Sequence, residues 1–245
     1  MRLKYVLKLA GIGLFGLLLV GCAKTNIKKT YDVDVAGMSK PTTVLIYNFS
    51  INPQAVQQNS SPLSRLQRSI ESEDDTAGKV KLANEVADAM AAELMKKIAA
   101  LGLNPKRADQ SLVPIPGSIL ITGEITKIDE GNSIRRMVIG FGAGQSSLDT
   151  NVVVSAPASM NNKELISFDA HADSGEKPGA IVMGPAGAAV GAGTASTVGV
   201  NAAQGVANTY KSASAHQAED MAEKITVELA KYFAKQGWIN PDLVE

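Results

Sequence analysis

Apolar and polar positions along the chain change period several times, and each change marks an element. TTVLIYNFS, from Thr42 to Ser50, is almost continuously apolar and rich in β-branched residues, which predicts a central strand covered on both faces. Residues 51–75 are polar and loop-like, with a short helix predicted over Leu63–Ile70. From Thr76 the spacing becomes helical: Val80, Ala83, Ala87, Met90, Leu94, Ile98 and Leu101 recur every three or four residues and form one stripe. Asp74 and Asp75 suit the positive end of that helix, Lys96 and Lys97 sit toward the other, and Gly102 is a natural C-terminal cap.

Three segments then alternate with period two: ILITGEITKI (119–128), SLDTNVVVS (147–155) and LISFDAHAD (165–173). They predict an antiparallel meander with one buried face. A last helix is expected over about Ser212–Gln236, with Ala218, Met221, Ile225, Leu229, Tyr232 and Phe233 turned inward and Gly237 as its stop. Trp238 and Ile239 should fold back onto the core. Strand, helix, three strands, helix is the order of a two-layer α+β domain: an antiparallel or mixed sheet of about four strands, with two main helices on one face and a glycine-rich segment besides.

The N-terminus follows a different pattern. Arg2, Lys4 and Lys8 precede an apolar run through Val20, and the sole cysteine of the 245 residues, Cys22, follows directly. A basic leader and an apolar stretch too short to span a bilayer fit a cleaved export signal. Leu19, Val20, Gly21 and Cys22 resemble the bacterial lipobox. That resemblance implies a diacylglyceryl group on the Cys22 thiol and cleavage before it. It gives residues 1–21 as signal peptide, 22–41 as a lipidated tether and 42–245 as a single periplasmic domain. Ala23 stands where an aspartate would retain such a protein in the inner membrane, so the implied location is the inner leaflet of a Gram-negative outer membrane, facing the periplasm.

Cleavage would remove three of the 24 basic residues and none of the 24 acidic ones, leaving a net charge of −3. Nothing in this balance suggests a nucleic-acid partner, which would need a basic face. Aromatic residues make up only 4% of the chain, so the core must be built mainly from aliphatic side chains.

Candidate chemistry is sparse. Gly140, Gly142 and Gly144 space a turn as G-x-G-x-G, without the G-x-G-x-x-G and following helix that bind a dinucleotide, and without the Gly-Lys-Ser/Thr of a P-loop. A hairpin connection or bulge is expected there, with Arg135 and Arg136 beside it as possible contacts for an anionic ligand or acidic partner. Asp169, His171 and Asp173 share one side of a strand and form the one acid–base cluster; solvated alternation explains them equally well. Neither His171 nor His216 has a histidine or cysteine at ligand spacing, so a zinc site is not expected. No cofactor, metal or enzymatic activity is expected; a hydrolase using Asp169 and His171 is the weaker alternative.

The stretch GEITKIDEGNSIRRMVIGFGAGQSSLDTNVVV, from Gly123 to Val154, resembles a domain-of-unknown-function family of glycine-rich bacterial lipoproteins with a GFGAG-type turn. The likeness implies a sheet-and-helix domain on a lipid anchor and transfers no catalytic residue.

Pro178–Tyr210 is a run of 33 residues without Asp, Glu, Lys or Arg. Within it Gly187, Gly191, Ala195 and Gly199 recur every fourth residue as a small ridge. Three readings stand open: packing within the domain, self-association into a homo-oligomer, and membrane insertion. The partners expected are the membrane, through Cys22, and a second copy or another envelope protein.

Overall fold

The computed structural model describes residues 24–34, 38–70, 74–109, 111–112, 114–139, 141–156, 163–175 and 213–244. These residues form an α+β fold with one mixed sheet. Its strands are β1 (Lys24–Asp32), β2 (Thr43–Tyr47), β3 (Ser50–Ile51), β4 (Val56–Gln57), β5 (Pro105–Ala108), β6 (Ser118–Asp129), β7 (Ser147–Ser155) and β8 (Glu164–Asp173). The helices are α1 (Pro62–Ile70), α2 (Asp75–Ala100), α3 (Ser133–Val138) and α4 (Ala213–Lys235).

Across the sheet the order is β1-β8-β7-β6-β2-β5, with β3 and β4 also pairing along β6. The β6–β7–β8 meander is antiparallel, as its alternation predicts. β2 lies parallel between β5 and β6, and Val44, Leu45 and Ile46 are all fully buried, which accounts for the unbroken apolar run.

Eight strands stand where the pattern predicts about four. The extra ones are short, polar or both. The largest correction concerns the tether predicted over 22–41: residues 24–32 of it form an edge strand paired antiparallel with β8 and are built into the sheet. Among β1 side chains only Ile27 packs against the core, and Lys24, Lys28 and Lys29 are exposed, as suits an edge protected from further pairing.

Helices α2 and α4 cover one face of the sheet and pack on each other, joined at the surface by Lys97 Nζ and Glu223 Oε1 at 3.0 Å. Leu82, Val86, Met90, Leu94 and Ile98 of α2 meet Met221, Ile225, Leu229 and Phe233 of α4 in a core shared with Ile119, Ile121, Val152, Val154 and Phe168. Val80, placed on the predicted stripe, is 39% exposed, while Leu82 and Val86 are buried. A helix that contacts both a sheet and a second helix buries a wider arc than a single row of positions.

The end of the sheet where β2 and β6 begin is closed by the C-terminus. Gly102 and Gly237, at φ +75° and +73°, end α2 and α4 as expected. Trp238 folds back, donates Nε1–H to the Met38 carbonyl at 3.1 Å, and meets Tyr232 edge-on and Phe233 at a tilt, with centroids 6.0 and 5.7 Å away. The Tyr232 hydroxyl donates to the Val33 carbonyl at 3.0 Å; burial, then Asp32 and Asp34, push its pKa up to about 12.

Candidate functional site

The face of the sheet away from the helices is polar because β7 and β8 alternate in register. His171 stands opposite Asp149 on β7 and Asn26 on β1; Asp169 stands opposite Asn151 and Lys28. Together they floor a shallow depression of about 410 Å³. His171 Nδ1 meets Asp149 Oδ1 at 2.5 Å, and its Nε2 lies 3.8 Å from Asp173 Oδ2. Asn151 Nδ2 donates to Asp169 Oδ1 at 3.0 Å.

The structure thus brings His171 and Asp173 together as the alternation predicts, but the carboxylate that holds the imidazole is Asp149. Its place on the polar face is readable from SLDTN; its pairing with His171 depends on strand register, which the pattern does not fix. Chemically, an imidazole between two carboxylates can exchange a proton with solvent. Among the described residues, no group of three or more His, Cys, Asp or Glu side chains is arranged to hold a metal ion.

At one end of the sheet, the connection from β6 to β7 carries the glycine turn. The predicted hairpin connection also contains a helix that the pattern does not reveal, α3, capped by Asn132 Oδ1 accepting Arg135 N–H at 3.0 Å. Gly142 and Gly144 take φ of +83° and +76°, and Phe141 takes +49°, a left-handed conformation costly for a residue with a Cβ. Gly140 lies outside the described residues.

Arg135 and Arg136 both flank this turn, in opposite senses. Arg135 is exposed. Arg136 turns inward and donates Nη1–H to the carbonyls of Gly144 at 3.2 Å and Glu130 at 3.5 Å. Burial lowers the pKa of Arg136 and raises that of Glu130, whose carboxylate accepts Asn59 N–H at 3.1 Å. Arg136 therefore staples the turn to the end of β6. Arg136→Ala is expected to cost about 2–3 kcal/mol, because it leaves the Gly144 and Glu130 carbonyls without their charged donor and frees the turn from the end of β6. Arg135→Ala should stay within about 0.5 kcal/mol of the parent. Urea unfolding of the two variants checks the contrast.

Cys22 and the ridge of Gly187, Gly191, Ala195 and Gly199 lie outside the described residues. No described helix is long and apolar enough to cross a membrane.

The sequence profile of a family described as "Domain of unknown function (DUF4410)" matches residues 44–191, a span that contains the Gly123–Val154 stretch. No curated protein matches the chain. Among solved structures, the PelC dodecamer from Paraburkholderia phytofirmans aligns at 7% identity with a TM-score of 0.38, covering 82% of this chain and 94% of that one. A single-substitution form of the same dodecamer aligns at 8% identity with a TM-score of 0.36, over the same shares of both chains.

Proposed function

The chain belongs to the DUF4410 family of unknown function, and from that premise we propose that it serves as a lipid-anchored, non-catalytic accessory module of a bacterial envelope. Its place is the inner leaflet of a Gram-negative outer membrane, facing the periplasm. One observation carries this reading: the Leu19–Val20–Gly21–Cys22 run ends two residues before Lys24, the first residue of a strand built into the sheet. A lipid on Cys22 would therefore hold the domain directly against the membrane.

The open sheet face supports a non-catalytic role. Its acid–base groups bind one another, Asp149 with His171 and Asn151 with Asp169, above a floor that is shallow and solvated. An anionic ligand at the glycine turn would meet one exposed guanidinium, Arg135, since Arg136 is held by carbonyls.

Replacing Cys22 tests the anchor. The parent protein is expected to incorporate radiolabelled palmitate and to sediment with outer membranes. Cys22→Ala should lose the label and leave that fraction. A parent protein that takes up no palmitate, or a Cys22→Ala variant that stays in the outer membrane, would overturn the proposal. Alanine at both Asp169 and His171 should leave any cellular phenotype unchanged at normal protein levels; loss of the phenotype would favour the hydrolase reading.

A further inference from the structure

Several chain segments converge on the glycine-turn end of the sheet. Lys24 pairs with Asp173, Asp173 with Ser147, and Ser147 with Asp129, so β1 begins level with the turn that joins β6 to β7. Gln57 of β4 also pairs with Asp129. Helix α1 follows at Pro62, and its approach is fixed by Ser60 N–H to the Gly131 carbonyl and Asn59 Nδ2 to Ser133 Oγ, both at 3.0 Å. Ser174 N–H donates to the Ser146 carbonyl at 3.0 Å, and Gln217 Nε2, near the start of α4, donates to the same carbonyl at 3.2 Å. Both flanks of residues 176–212 therefore sit at this end.

The same end displays large apolar side chains to solvent. Leu63, Leu66 and Ile70, spaced three and four apart on one side of α1, are 66%, 58% and 74% exposed. Phe141, in its left-handed conformation at the tip of the turn, is 59% exposed. Clustered exposure of this kind marks a surface that meets something apolar.

Where the remaining chain attaches indicates what that is. Two residues span at most about 7 Å, so a lipid on Cys22 leaves the domain beside Lys24, at this end; the step rests on the anchored reading above. Between the two flanks the sequence holds the uncharged run Pro178–Tyr210.

We propose that the glycine-turn end is a membrane-docking surface, with α1 and Phe141 resting in the interfacial zone of the bilayer that holds the anchor. The attraction is apolar. Arg65 and Arg135 are exposed at this end, but Asp74 and Asp75 follow α1, so the surface does not select anionic lipid.

The test places one fluorescent label at a time on Leu66→Cys, Phe141→Cys and, at the opposite end, Leu243→Cys. Each is made in the full chain with Cys22 intact and in the Cys22→Ala background. Vesicles of phosphatidylcholine, or of phosphatidylethanolamine with phosphatidylglycerol, are added with and without doxyl-labelled lipid. Docking requires that doxyl lipid quench the labels on Leu66→Cys and Phe141→Cys several-fold more strongly than the label on Leu243→Cys, in both lipid mixtures. Equal quenching at the two ends overturns docking, as does shielding without quenching, which would mean that residues 176–212 or a second copy covers the patch. Mass spectrometry of the chain with Cys22 intact reads the anchor separately. If the acyl group is absent and selective quenching persists, the anchored reading fails and the docking surface stands.

Discussion

Replacing Gly123 with alanine is expected to lower the unfolding free energy by about 3 kcal/mol, the upper range for an overpacked core. Gly123 lies in β6 opposite Val152 of β7, in the row that faces the helices. A Cβ there would come within 2.5 Å of Phe49 Cδ1 and 2.7 Å of the Asn151 carbonyl oxygen. The ring is 4% exposed and cannot swing into solvent, and the carbonyl belongs to the neighbouring strand. One methyl group must therefore displace a buried aromatic ring or part β6 from β7. Urea unfolding measures the loss. In Gly123→Ala/Phe49→Leu the smaller side chain removes one of the two clashes, so the double variant should be more stable than the sum of the single costs. Strict additivity would show that the ring is not what the methyl group meets.

Trp238→Ala should cost about 3–5 kcal/mol, the range for deleting a buried aromatic side chain. Trp238 is 2% exposed and fills the space beside Tyr232 and Phe233. Its removal also leaves the Met38 carbonyl without its donor, a further loss on the order of 1 kcal/mol. This corner secures the chain leaving β1: Tyr232 holds the Val33 carbonyl, and Lys235 Nζ pairs with Asp32 Oδ1 at 3.3 Å. In Trp238→Ala, amide exchange should therefore accelerate in β1 more than in β7. Unchanged β1 protection would show that the aromatic corner and the edge strand are uncoupled.

What the pattern of residues revealed follows from how each element is buried. β7 has one face on the helices and one in solvent, and its strict alternation marks its bounds, Ser147 and Ser155, as observed. The last helix, which the pattern predicts over about Ser212–Gln236, spans Ala213–Lys235, because its inward face repeats every three or four residues. β1 carries no such signal: it is an edge strand with a single side chain on the core, and its lysines read as linker. β5 offers four residues, two of them basic and exposed, and is held by parallel pairing with β2. A strand of that kind leaves its mark in backbone hydrogen bonds, which a hydropathy pattern does not record.

The candidate sites divide in the same way. The polar face of β8 was legible from LISFDAHAD, whereas the Asp149–His171 pair depends on how β7 and β8 align. Arg135 and Arg136 are adjacent and identical in type, yet about 100° of helical rotation turns one outward and the other onto Glu130 and Gly144. Nothing in RR distinguishes them; the turn beneath does.

The most direct test of the central proposal is the mass of the N-terminal peptide of the mature protein, recovered from outer membranes of the native host. The expected peptide starts at Cys22 and carries a diacylglyceryl group on its thiol. A mature chain that begins at any other residue, or a Cys22 with an unmodified thiol, would contradict the anchor and the envelope role built on it.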